Sequence, residues 1–280
     1  MTAPGAFDQV FKDNAFDSVL HTSSPLVFGV EDPEKDILQP AIKGTTEILK
    51  STKEHGSKVK RVIITSSFAA LANSSVDSTK HVYSEKDWNP ITYEYAVQNP
   101  EVAYFASKAL AEKAAWDFVE KEKLQFDLVT ICPTMVRIWS CSSRGDIAGD
   151  PQCHEPPIYQ IFNGQNNDLK GNGVWLWVDV RDVAEAHVAA LEKPEAGGKR
   201  FLLAEGNFNV GQVANYIWEH YPERAKAKGI PRSTQFSGYP PEGVYSADTS
   251  ASRDILGIKY TKFEDSLKDK FAQFILLRRN

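Results

Sequence analysis

No apolar run in this sequence approaches the roughly 20 residues needed to cross a bilayer. Its first residues, MTAPGAFDQV, carry neither a charged n-region nor an apolar h-region. A membrane span and a secretory signal are therefore not expected. Cysteine is scarce, three in 280 residues, and the three show no metal-ligand spacing. An odd, small number of cysteines argues against a disulfide framework or a zinc site, so no metal is expected and a reducing cytoplasm is. Basic charge is also short: 32 Lys and Arg stand against 37 Asp and Glu, for a net charge of −5. A nucleic-acid footprint, which needs a basic excess on one face, is excluded on that ground. The short basic runs at 58–61 and at Arg278 and Arg279 read as solvated ends of elements. There is no internal repeat and no low-complexity tract.

What is present is a chain that is 42% hydrophobic and long enough to bury a large core as one or two domains. Short β-rich runs alternate with longer amphipathic stretches, the pattern of an α/β protein. A helix end is expected at 6–12 and short strands at 17–21 and 61–65. Helices are expected at 38–55 and 101–122, and a strand at 126–131 closed by Pro133. This alternation implies a parallel sheet with right-handed crossovers. Beyond it, strands are expected at 175–180 and 200–204, and helices at 180–191, 210–220, 248–256 and 262–277. A Pro/Gly-rich loop fills 229–243. The composition shift near Pro133 divides a sheet domain, residues 1–136, from a smaller substrate-side lobe, residues 137–280, with elements that return to the sheet.

Tyr104 and Lys108 lie four residues apart on an expected helix, hence on one face. A lone phenol is a poor acid at neutral pH, and a nearby ammonium favours its ionised form. The pair can therefore act as a general acid toward a carbonyl oxygen. Lys108 could also hydrogen-bond the ribose of a nicotinamide cofactor. As a bare i,i+4 pair the two could equally be an ordinary helix surface. Two further features point to chemistry. Ser66 and Ser67 follow directly on the RVIIT strand, where parallel sheets bind ligands. The next strand ends in Cys132-Pro133-Thr134, beside the same crevice. Three strand ends, at 21–25, 65–67 and 132–136, thus carry polar or turn residues. His21 and His187 read as packed histidines, and Trp175 and Trp177 as core or lobe packing.

RVIITSSFAA, AYFASKALAEKAAW and WVDVRDVAEAH together resemble the extended short-chain dehydrogenase/reductase family. VLHTSSP, DILQPAIKGTTEIL, DWNP, GGKRFLLAEG and DTSASRDILGIKY fit its NADPH-dependent methylglyoxal reductase group. The resemblance runs over nearly the whole chain. It implies a Rossmann-like sheet with a smaller C-terminal substrate lobe, and NADPH (NADP) as cofactor. It further implies reduction of aldehydes or ketones, with a small carbonyl compound as the partner and a homodimer left open. Ser67, Tyr104 and Lys108 are the implied catalytic residues, with Ser66 the competing serine. Thr22, Ser23 and Pro25 are implied near the cofactor phosphates and ribose, and Pro133 and Val136 beside the nicotinamide. Asp182 matches a position that helps attach the two lobes; an ordinary helix-start carboxylate is its alternative. Two other functions stay open: a nucleotide-sugar epimerase or dehydratase, which uses the same Tyr/Lys pair, and a non-enzymatic binding module or remnant.

The sequence departs from the family in two places. No G-x-G-x-x-G or G-x-x-G-x-x-G occurs, although dinucleotide binding needs such a turn after the first strand. Family members carry a segment like AFDQVFKD roughly 60 residues in, by the size of a βαβ unit. They often read Asp-Ile-x-x-Pro-Gly-Ala-Phe where this chain opens Met1-Thr2-Ala3-Pro4-Gly5-Ala6-Phe7. The expectation is a sheet lacking its first strands, with Met1 an internal methionine, an exposed edge at 17–21, poor solubility and no measurable dinucleotide binding by this chain alone. Second, residues 137–156, RIWSCSSRGDIAGDPQCHEP, replace an expected Val-Phe-Gly-Pro and a later Leu-Asn. Back-translated and read one base later, the segment can give both. It is therefore read either as out of frame or as a divergent loop, and Cys141 and Cys153 within it receive no functional reading.

Overall fold

The computed structural model describes residues 1–27, 29–77, 79–137, 157–165, 169, 174–232 and 243–277. The expectations about the reading frame of 137–156, about Cys141 and Cys153, and about Arg278 and Arg279 lie outside the described residues, the backbone of Arg137 excepted.

The chain opens with α1 (Asp8–Asp13) and β1 (Ser18–His21). A π-helical turn, Glu34–Leu38, runs into α2 (Gln39–His55), which leads to β2 (Arg61–Thr65). Next come β3 (Val82–Tyr83), α3 (Tyr93–Gln98), α4 (Ala103–Lys121), β4 (Asp127–Pro133) and β5 (Met135–Arg137). The second half holds α5 (Pro157–Phe162), β6 (Leu176–Asp179), α6 (Val180–Glu192), β7 (Lys199–Leu203), β8 (Gly206–Asn207) and α7 (Val210–His220). It ends with α8 (Pro222–Ala227), β9 (Ser246–Ala247), α9 (Ser250–Asp254) and α10 (Phe263–Leu277).

The strands β1, β2, β4 and β7 form one parallel sheet in that order. Ser18 pairs with Arg61, Arg61 with Asp127, and Val129 with Lys199. Side chains on a strand alternate between faces, and each face here has its own cover. Val62, Ile64 and Leu128 pack with Ile48 and Leu49 of α2 and Ala115 of α4. Ile63, Val129, Ile131, Phe201 and Leu203 pack on the other face with Val183, Ala186 and Ala190 of α6. Each such fully buried aliphatic or aromatic side chain contributes about 1.5–3 kcal/mol. The architecture is thus a Rossmann-type parallel sheet flanked by helices, as expected.

A separate C-terminal lobe of helices and short strands has its own core. Ile158, Phe162, Val213, Ile217 and Phe271 from α5, α7 and α10 meet there, with Phe162 stacked on Phe271 at 4.6 Å. A capping box, Asn209 with Gln212, starts α7. The strands β5, β6 and β8 form a second sheet in that order. At the start of α6, Asp182 accepts from Thr261 N and Oγ1 at 2.9 and 2.7 Å, so its carboxylate ties the helix to the segment entering α10. Trp177 is fully buried and meets Phe263 edge-on at 5.1 Å, which is a packing role.

Two features differ from expectation. Arg61, read as the solvated end of a basic run, is buried. Its guanidinium donates to both Asp127 oxygens at 2.7 and 2.8 Å and to the carbonyls of Ala190 and Lys193 at 2.6 Å. Those carbonyls close α6 and have no partner within the helix, so a buried cation satisfies them. The helix expected at 248–256 is shorter, Ser250–Asp254. Among the described residues β1 has a neighbour on one side only, with Leu20 44% exposed, which is the open edge that the sequence led one to expect.

Candidate active site

The sheet order β1-β2-β4 brings the three carboxyl-end loops side by side. Ser67 follows β2 with an extended backbone, and its Oγ accepts from Ala69 N at 3.1 Å, capping the short 3-10 turn Phe68–Ala70. That cap fixes the serine at the strand end. Tyr104 stands in the first turn of α4, where Ser107 Oγ donates to its carbonyl at 2.7 Å. Lys108, one turn on, holds its Nζ 5.8 Å from the centre of the Tyr104 ring.

Burial pushes the Tyr104 phenol above its ordinary value, and the Ser67 hydroxyl beside it pulls it part of the way back. Burial pulls the Lys108 ammonium down to about 8. The sequence led one to expect the ammonium to lower the phenol. In the structure desolvation of the phenolate sets the direction and only the Ser67 hydrogen bond opposes it, so Tyr104 keeps its proton at neutral pH. His21 ends β1 beside Lys108; burial first, and the ammonium second, lower its pKa, so it is neutral. His187 bonds Thr65 Oγ1 and the Val183 carbonyl, both at 2.7 Å, on the opposite face of the sheet. Both histidines are packed, as read.

Ser67, Tyr104 and Lys108 are thus brought together. The competing serine points elsewhere: Ser66 Oγ is buried and donates to Glu112 Oε2 at 2.6 Å. Thr22 and Ser23 are exposed after β1 and Pro25 is half-buried. Pro133 is the buried last residue of β4, and Val136 is exposed in β5 opposite Val178. Strand order, rather than a hydrogen bond, relates these five to the Tyr104 group. Sequence reasoning missed Glu112 and Arg200, a buried pair at 2.7 Å directly beneath the site. Residue 112 falls on the face of α4 that carries 104 and 108, but nothing local marks it as an interior group.

A nicotinamide ribose fits this donor set. The Lys108 ammonium has no carboxylate neighbour offsetting its burial, and Thr22 and Ser23 are exposed just past the carboxyl end of β1. The Gly-rich turn for a pyrophosphate has no counterpart in the sequence.

A parallel sheet with ligand-facing strand ends, together with a Tyr/Lys helix face, defines an NAD(P)-dependent Rossmann-type enzyme. The chain belongs to the NAD dependent epimerase/dehydratase family, whose pattern matches residues 1–211. It is 37% identical over 285 residues to the ketoreductase azaE of Aspergillus niger, covering 97% of this chain and 79% of that protein. It is 32% identical over 281 residues to the NADPH-dependent methylglyoxal reductase GRE2 of Saccharomyces cerevisiae, covering 96% and 80%. The fold matches the crystal structure of Gre2 from Candida albicans in complex with NADPH, with a TM-score of 0.82 and 34% identity over 99% of this chain and 82% of that one. The resemblance carried by the motifs therefore holds. No helix among the described residues is long and apolar enough to cross a membrane.

Proposed function

We propose that the protein reduces aldehyde or ketone carbonyls at the expense of NADPH. The observation that carries this reading is the convergence of Ser67, a protonated Tyr104 and an unneutralised Lys108 at the carboxyl ends of parallel strands. NADPH, when bound, would supply the hydride that the carbonyl carbon takes up. Ser67 Oγ holds the carbonyl oxygen against Tyr104. The Tyr104 hydroxyl gives its proton to that oxygen as charge develops on it, so the product is the alcohol. Lys108 stabilises the phenolate left behind and holds the ribose. Thr22, Ser23 and Pro25 would border the ribose and phosphates, and Pro133 and Val136 the nicotinamide. Residues 1–136 would then form the cofactor and catalytic part, and 137–280 the substrate side, with β7 returning to the main sheet. The relatives named as a ketoreductase and a methylglyoxal reductase support this substrate class.

The test is NADPH consumption with methylglyoxal and simple ketones. Tyr104→Phe is expected to lower turnover by about 10²–10⁴-fold, the usual worth of a general acid; unchanged turnover would sink the assignment.

A further inference from the structure

Glu112 stands four residues after Lys108 and eight after Tyr104, on the same face of α4. Its carboxylate is buried, and each oxygen is occupied. Oε2 accepts from Ser66 Oγ at 2.6 Å. Oε1 accepts from Thr130 Oγ1 and from Arg200 Nε, both at 2.7 Å. Trp116 Nε1 reaches Oε1 at 3.3 Å, and Cys132 Sγ lies 3.6 Å from Oε2. Arg200 is clamped in turn: it donates to the carbonyls of Glu85 and Asp87 at 2.6 and 2.8 Å and lies 3.6 Å over the Trp88 ring.

Strand alternation explains the gathering. Ser66 continues the Val62 and Ile64 face of β2. Thr130 and Cys132 lie on the same face of β4, and Arg200 lies on it in β7. Four polar side chains thus converge under α4, and one carboxylate satisfies them. Apolar residues in place of the whole cluster could seat the helix equally well, since a buried ion pair is weak evidence for stability. What an apolar residue could not do is reach Ser66, the residue that carries the backbone into Ser67.

We propose that Glu112, clamped by Arg200, is a positioning residue that sets Ser67 against Tyr104. One side chain holds both the loop that aims the serine and the helix face that aims the tyrosine. This rests on the carbonyl-reduction reading above. Glu112 itself touches no reacting atom.

The test compares Ser66→Ala, Glu112→Gln and the double variant. Each single change should lower kcat about tenfold with KM for methylglyoxal within about twofold, the signature of lost alignment. The double should cost no more than the larger single, because both cut the same bond. A second readout needs no turnover. The NMR signal of the isotope-labelled Tyr104 ring carbon, assigned by its loss in Tyr104→Phe, should shift in both singles. It should stay in place in Phe271→Leu, a core change in the C-terminal lobe. An unmoved Tyr104 signal with kcat within about twofold of wild type would overturn the proposal and leave Glu112 as packing alone. If Glu112→Gln does not fold, Ser66→Ala decides by itself, because it keeps the Arg200 pair. Loss of all turnover in Ser66→Ala, equal to that in Ser67→Ala, would also overturn the proposal by making Ser66 the contacting serine. Failure of the reductase reading shows separately, as wild-type turnover in Tyr104→Phe, and the Tyr104 signal still decides the role of Glu112.

Discussion

The main sheet carries two arginine–carboxylate pairs in different surroundings. At the amino ends of the strands, Arg61 grips Asp127 across β2 and β4. On the α4 face of the sheet, Arg200, near the start of β7, grips Glu112, which also holds Ser66 just past the carboxyl end of β2. The Asp127 side chain is 40% exposed and that of Glu112 1%. A cleft of about 440 Å³, bordered by Asp17, Lys60 and Glu192, opens beside Arg61. Water can therefore replace a lost partner at the first pair and cannot at the second. The same ion pair is architecture where solvent reaches it and alignment where solvent is shut out.

The largest expected effect follows from removing the buried carboxylate. Glu112→Ala leaves Arg200 charged and unpaired in the interior, and should cost about 3–5 kcal/mol of stability. Denaturant unfolding monitored by circular dichroism measures it; a loss no greater than that of Asp127→Ala would break the comparison. Lys108 is a third case, a cation near the site whose burial no carboxylate offsets. Its pKa is about 8 in the folded protein against an ordinary 10.5. Below pH 8 both states bind the proton, and the folded state carries the full cost of a buried charge. Between 8 and 10.5 the folded protein sheds the proton first and that cost fades. Lys108→Met should therefore raise Tm by about 3 °C at pH 7, with the gain shrinking as pH rises through that window. A gain that grows with pH would reverse the sign and refute the account. Turnover in the variant should fall at every pH.

These contrasts also show what could be read in the sequence. The strand end after RVIIT and the Tyr104/Lys108 pair stood out because they are local patterns, while the choice of Ser67 and the roles of all three came from the family resemblance. The parallel sheet was legible from RVIIT and FDLVTI, since continuous apolar runs mark strands covered on both faces. Glu112 was not, because a glutamate in a helix rich in Ala, Lys and Glu looks like a solvated position. Only the partners on β2, β4 and β7 make it an interior group, and those come from three distant segments. Arg61 and Arg200 failed for the same reason: a charge next to a strand gives no local sign of a carboxylate 66 or 88 residues away. The pairs β3 with β9 and β6 with β8, two residues each, are too short to show any period. Ser66 against Ser67 needed the pleat itself, which turns one hydroxyl to α4 and leaves the other at the crevice.

The smaller effects lie at the solvent-reached pair. Asp127→Ala should cost about 1 kcal/mol, because Arg61 keeps the α6 carbonyls and gains water. Salt sharpens the contrast further. The Debye length falls from about 10 Å at 0.1 M to about 3 Å at 1 M, so the Arg61–Asp127 coupling, measured by a double-mutant cycle, should approach zero at about 1 M sodium chloride. The Glu112–Arg200 coupling should change by no more than a few tenths of a kcal/mol over the same range, since no ions reach it. If both couplings fell in parallel, solvent would be entering beneath α4, and the carboxylate there could not hold Ser67 and Tyr104 to one geometry.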